Sequence, residues 1–204
     1  DDMIQFASHI SKGMEHIQAK GILHRRLAAR NVFLARSAAV GLIAKVSGFG
    51  PMRGEEGKYG KKVADRIPIK WMAPESLTKE EGKERVYTKE TDVWSFGITL
   101  WEIYSLGETP YPTQKSHSVE DLLRSGYRLP KPENCPVPLY HNIMDPCWLE
   151  DPKKRPTFEE ITRQCGELFH ENEDSEFYYG PARQSTVQGA EYVYDNVAHS
   201  VKSY

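Results

Sequence analysis

DVWSFGITLWEIYSLG, residues 92–107, carries apolar side chains on nearly every face, and its only charges are Asp92 and Glu102. A helix of that composition has no side that suits water, so it must be buried all round and lie at the centre of a fold. Thr91 or Asp92 is placed to cap its start, and Gly107 to end it. Trp94, Trp101 and Trp148 supply core mass around it. Toward the N-terminus, residues 2–20 set Ile4, Ala7, Ile10, Met14 and Ile17 three and four apart. That spacing predicts one apolar helical face, which Gly21 terminates. ILHRRLAARNVFL holds two short apolar runs around a polar turn, and LIAKVSGFG reads as a short strand entering a glycine turn. In the other direction, GETPYPTQ and YRLPKPENCPVP are proline-rich connectors flanking a modest helix near 117–125. Residues 138–149 read as a further helix. Thr157, three before Glu160, opens a last one as a capping box, with Ile161, Cys165, Leu168 and Phe169 along its face.

The chain has 204 residues, a formal net charge of -2 and 39% hydrophobic content. That suits a globular domain with its own core. Balanced charge gives no bulk attraction to nucleic acid or membrane, and no apolar run reaches membrane-spanning length. Three cysteines, Cys135, Cys147 and Cys165, are too few for a disulfide framework and lack metal-ligand spacing. They read as buried thiols in a reducing compartment. Residues 50–72 show no period, carry Gly54, Gly57 and Gly60, and are rich in lysine and arginine, as an exposed loop would be. From Glu171 the helical pattern stops. Residues 170–204 are acidic, poor in core formers and rich in tyrosine, and are expected to be disordered. Residues 1–169 are expected to form a mainly α domain, a helical bundle with a few short β-strands near 32–46.

Several motifs then fall in order. HRRLAARN (24–31) resembles the catalytic loop of protein kinases in its tyrosine-kinase form. SGFG (47–50) resembles the magnesium-binding turn, and IPIKWMAPES (67–76) the end of an activation segment. DVWSFGITLWEIYSLGETPYP resembles the buried central helix and its following loop, and CWLEDPKKRPTF the late helix with its buried arginine. The wording is closest to receptor-type tyrosine protein kinases, and the likeness spans roughly residues 2–169. It implies the large C-terminal lobe of that fold. The glycine-rich loop, strand lysine and glutamate that hold nucleotide phosphates in kinases would precede Asp1, so the small lobe is absent from this stretch.

The resemblance also marks departures. Arg26 stands where the family has its catalytic aspartate, which accepts the substrate hydroxyl proton. A guanidinium stays protonated and cannot do so. Arg26 is then either a solvated surface arginine or a partner for Asn31, a nearby carboxylate or an anion. Gly48 stands at the metal-binding aspartate and offers no ligand atom. Asn31 matches the second metal position, and without a carboxylate beside it a structural hydrogen bond is the better role. Phe49, followed by Gly50, is expected to pack inside as an apolar peg. No catalytic residue is intact.

The frame positions are kept. His24 is expected to hydrogen-bond within the loop, and Asp92 to accept backbone N–H groups from it. Glu75 and Arg155 are expected to pair. Arg25 resembles an arginine that receives an activation-loop phosphate, and Tyr59, among Lys58, Lys61 and Lys62, is a phosphorylation candidate. Lys70 and Trp71 resemble the substrate platform of tyrosine-directed kinases, with Arg30 holding the acceptor side. In the tail, Tyr192 and Tyr194 are further candidates. Tyr194-Asp195-Asn196 resembles a docking site for a phosphotyrosine-reading adaptor.

Three functions follow as expectations. The first is a pseudokinase that signals by binding proteins. The second is a member of the ATP-dependent receptor-type tyrosine kinases, a transferase. The third is a phosphorylated docking scaffold acting through the tail. The family uses ATP and Mg2+; none is expected for this chain. Expected partners are proteins, among them phosphotyrosine-reading adaptors and an active kinase, and not nucleic acid; a membrane enters only through an upstream segment. The expected location is cytoplasmic, as in the cytoplasmic part of a membrane receptor.

Overall fold

The computed structural model describes residues 2–37, 41–50, 67–77, 85–176 and 194–196. Its centre is the helix anticipated above. This helix, α3, runs Lys89–Tyr104, and every residue from Thr91 to Tyr104 is buried. Its cap differs from the expectation. Thr88, not Thr91 or Asp92, is the N-cap: its hydroxyl accepts from the Thr91 N–H at 3.4 Å, while Thr91 Oγ1 accepts from the Thr88 N–H at 3.0 Å. This reciprocal box satisfies two end donors within the first turn. It also leaves the Asp92 carboxylate available for a different set of donors. Gly97 lets the 145–148 turn approach closely: a Cβ there would lie 2.6 Å from Trp148 Nε1 and 2.8 Å from Cys147 Cβ.

Around α3 lie α1 (Asp2–Ala19) and the last helix, α6 (Phe158–Glu176), which pack on one another. Ile4, Ala7, Ile10 and Met14 are buried as their spacing predicts, joined by Phe6. Thr157 and Glu160 form the expected capping box of α6. Helix α6 continues past residue 169, where the apolar face was expected to end; an established hydrogen-bond ladder propagates at little cost per residue. Pro74–Leu77 form a one-turn helix, α2, and Val119–Arg124 form α4 after a tight turn at Ser116–Ser118. Residues 138–149 are not one α-helix. A single α turn, α5 (Val137–Leu139), widens into a π turn over Tyr140–Met144 and tightens to a 3-10 turn over Asp145–Trp148. Pro146 explains the break, since it has no N–H to continue the i to i−4 ladder.

Strands β1 (Val32–Ser37) and β2 (Gly41–Val46) pair antiparallel in the register Val32 to Val46 through Ser37 to Gly41. Val32 and Leu34 are buried at alternate positions, as period two requires. A third strand, β3 (Tyr194–Asn196), pairs antiparallel with the other edge of β1, setting Phe33 opposite Asn196 and Ala35 opposite Tyr194. These three tail residues are therefore ordered against the sheet, contrary to the expected disorder. An edge strand presents unpaired backbone groups that an extended segment can satisfy without apolar side chains. The other tail residues, from 177 to 193 and from 197 to 204, lie outside the described residues. So do Tyr59, Tyr192 and residues 38–40 and 78–84.

All three cysteines are buried free thiols. Burial holds Cys135 up at about 11 and Cys165 up at about 12. No helix among the described residues is long and apolar enough to cross a membrane.

Candidate functional site

The loop 24–31 begins on α3. Asp92 is buried, and its two oxygens accept from the backbone N–H groups of His24 (2.7 Å) and Arg25 (2.8 Å). Burial raises its pKa to about 6, against the pull of those two donors. The grip matters because Arg25 sits at φ 65. That left-handed conformation costs an L-residue about 1–2 kcal/mol, and the bond to Asp92 holds it there. The Arg25 guanidinium then lies over the Tyr87 ring, 5.3 Å from its centroid.

His24 is fully buried. Its Nδ1 accepts from the Arg26 N–H at 3.2 Å, so the ring proton sits on Nε2, which donates to the Ser47 carbonyl at 2.9 Å. Burial pushes the imidazole down to about 4, so it is neutral. The Gly50 N–H returns a bond to the His24 carbonyl at 2.9 Å, and the Ser47 N–H one to the Asn31 carbonyl at 2.8 Å. Loop and glycine turn are thereby laced together through backbone. Phe49 is not the expected internal peg. It is 48% exposed and stacks on His24 with ring centroids 4.8 Å apart. The buried imidazole already fills the space beneath it, so the phenyl ring covers that site from outside.

Beyond His24 the functional positions converge. Asn31 Nδ2 donates to the Arg26 carbonyl at 2.7 Å, the structural hydrogen bond expected of it. Its carbonyl end lies against Gly48. That glycine has φ +71, and a Cβ there would lie 2.6 Å from Asn31 Cγ and overlap Asn31 Oδ1. The space a side chain at 48 would enter is thus taken by Asn31. Arg26 is half-buried. Its stem runs across Gly50, whose hypothetical Cβ would meet Arg26 Cγ at 3.0 Å and Arg25 Cβ at 3.1 Å. The contact with Asn31 is through the Arg26 backbone; among the described residues no carboxylate pairs with its guanidinium.

The platform beside the loop is held by a residue that sequence reading passed over. Glu102, buried in α3, accepts from the Ala29 N–H at 2.9 Å and from Trp71 Nε1 at 2.7 Å. Burial lifts its pKa to about 7, against those bonds and the nearby Arg30 charge. The signal was present as one of only two charges in the apolar stretch 92–107. Arg30 lies over the Trp71 ring, 4.4 Å from its centroid. Ser95 Oγ donates to the Trp71 carbonyl at 2.8 Å, and Lys70 Nζ donates to the Tyr111 carbonyl at 2.9 Å. Arg30 and Trp71 therefore come together, while the neighbouring Lys70 amine is tied to the loop after α3. Tyr87, under Arg25, was also missed, having no motif around it.

The scaffold pair is present too. Arg155 donates from Nη1 and Nη2 to the two Glu75 oxygens at 2.6 and 3.0 Å. Further bonds go to the Leu149 and Glu90 carbonyls. The guanidinium groups of Arg155 and Arg128 both lie over the Trp94 ring, 5.0 and 5.1 Å from its centroid.

The arrangement is a hydrogen-bonded loop and turn that carries the cationic side chains of Arg25, Arg26 and Arg30. Comparisons with known proteins bear on what it is. Residues 1–165 match the family model described as protein tyrosine and serine/threonine kinase. A tyrosine-protein kinase receptor torso of Bombyx mori is 44% identical over 171 residues, covering 83% of this chain and 20% of that protein. A tyrosine-protein kinase receptor Tie-1 of Danio rerio is 42% identical over 166 residues, covering 81% of this chain and 84% of its counterpart. A macrophage colony-stimulating factor 1 receptor of Danio rerio is 37% identical over 211 residues, covering all of this chain and 20% of that receptor. The chain thus spans about a fifth of the length of two of these relatives.

Proposed function

The chain belongs to the protein tyrosine and serine/threonine kinase family, and from that premise we propose that it is a tyrosine-kinase-like domain that does not transfer phosphate and signals by binding proteins. The observation that carries this is the joint state of positions 26, 31 and 48. Phosphoryl transfer relies on a carboxylate to orient the acceptor hydroxyl and on carboxylate-held Mg2+ to neutralise charge at the phosphates. Position 26 offers a fork of donors and no acceptor. Position 48 offers no ligand atom, and Asn31 fills the volume such a ligand would need. Mg2+ demands near-octahedral oxygen ligation, and a single amide oxygen already packed against Gly48 does not fit that demand. These residues therefore do not suit the family's metal.

The relatives' names favour the alternative of an active, ATP-dependent tyrosine kinase. One assay separates the two. Purified protein, ATP, Mg2+ and a tyrosine peptide should give no phosphopeptide above a protein-free control. Turnover that survives further purification and scales with the chain favours the enzyme. By the same analogy with receptors, the domain works on the cytoplasmic side of a membrane.

A second reading concerns the tail. The match to the macrophage colony-stimulating factor 1 receptor runs the whole length of the chain, the tyrosine-bearing segment included. In that reading phosphate on Tyr194 recruits an adaptor. Because Tyr194–Asn196 pair with β1, the adaptor must first peel β3 off the sheet. A phosphorylated 188–200 peptide should bind a phosphotyrosine-reading domain, and its Tyr194→Phe form should not; equal binding rules the reading out.

A further inference from the structure

We propose that the loop and glycine turn around Arg26 form a phosphotyrosine-binding site, with the Arg26 guanidinium taking the phosphate of an extended peptide. The inference rests on the reading that this site does not transfer phosphate, and it says what the site does instead.

Placing arginine at position 26 reverses the site's preference. A carboxylate there accepts from a neutral hydroxyl. A guanidinium has donors only, and its planar fork matches two oxygens of a phosphate at once. Arg26 is also placed for the task. Its methylenes lie across Gly50, 3.0 and 3.2 Å from where a Cβ would sit. A stem already held loses less freedom when its head binds. Among the described residues no carboxylate satisfies that head. The Arg30 charge is disfavoured by burial and by the nearby Arg26 charge, and Glu102 offsets part of this. An incoming dianion relieves that repulsion.

The surroundings select the aromatic carrier. Phe49 presents a half-exposed ring on the turn that Arg26 crosses. Trp71, under Arg30, is fixed by Glu102 and Ser95 on the platform side. A phosphotyrosine ring has apolar faces for such neighbours, which phosphoserine and inorganic phosphate lack. One source of ligand lies close by: β3, with Tyr194 in it, packs against Ala29–Asn31.

The test is fluorescence anisotropy on the full chain. The probe is a labelled peptide of residues 188–200 phosphorylated on Tyr194, and the controls are its unphosphorylated and phosphoserine versions. A charge-assisted bidentate contact should favour the phosphotyrosine peptide by about tenfold or more. Arg26→Ala should remove the preference with the circular dichroism unchanged. Arg26→Lys, which keeps charge and stem, should keep part of it and serves if the alanine form misfolds. The proposal is overturned if the phosphorylated and plain peptides bind alike, or if the preference persists in Arg26→Ala. Equal binding of phosphoserine, or competition by inorganic phosphate or ATP as strong as by the phosphopeptide, overturns it as well. Turnover in the phosphotransfer assay defeats the underlying reading instead, so the two failures are distinguishable.

Discussion

The two ends of the loop 24–31 are held alike and equipped differently. At its start, Asp92 grips the backbone of His24 and Arg25. Further along, Glu102 grips the backbone of Ala29 in the same way. Both carboxylates rise from α3 and bind N–H groups, so neither depends on which side chains the loop carries. The reacting positions between and beside them are different: Arg26 is a cation, and Gly48 is empty of side chain. The comparison teaches that frame and chemistry are separately encoded here. Backbone hydrogen bonds from a buried helix tolerate any side chain that fits, whereas a base or a metal ligand is one residue type or nothing.

Breaking the frame should have the largest effects. Arg155→Ala leaves Glu75 without its partner and removes a guanidinium from the Trp94 ring, and should cost about 3–5 kcal/mol in denaturant unfolding. A cost below that range would mean that the pair is no better than a surface contact. Asp92→Ala strands two backbone donors of the loop and releases Arg25 from its left-handed conformation. It should cost about 2–4 kcal/mol and raise hydrogen exchange at His24 and Arg25 above that of the rest of the core.

Changes at the chemical positions should be smaller and local. Gly48→Ala puts a Cβ at positive φ, worth about 1–2 kcal/mol, and against Asn31. Asn31→Ala should recover part of that cost, and additive effects in the double-mutant cycle would contradict the contact. The finest distinction is one of pH. Folding raises the Glu102 pKa from 4.5 to about 7, so the folded state favours the protonated acid. Its contribution is full below about pH 4.5 and is lost as pH rises through about 7. Melting temperature relative to Glu102→Gln should therefore fall across that window; a flat or rising difference would place Glu102 outside the core.

The sequence made the frame readable because its signals are local and redundant. A helix apolar on nearly every face admits one placement, and Glu75, Asp92 and Arg155 carry charge where charge is costly. The capping of α3 escaped because Thr88, Thr91 and Asp92 all have acceptor side chains, and only the Asp92–loop contact decides between them. The break at Pro146 was legible in principle, since proline cannot serve an interior helical turn. Phe49 misled because apolar character was equated with burial, while the His24 ring occupies the interior beneath it. The overlap of Asn31 with the space at Gly48 is a contact between loop and turn that no spacing encodes. The pairing of β3 with β1 escaped for a related reason: backbone edges attract strands whatever their composition.

Separate encoding of frame and chemistry is tested most directly by measuring both on one sample. The purified chain should unfold in a single cooperative transition and transfer no radiolabelled phosphate from ATP to a tyrosine peptide in the presence of Mg2+. Cooperative folding together with transfer that follows the chain through purification, and disappears when it is depleted, would contradict the account.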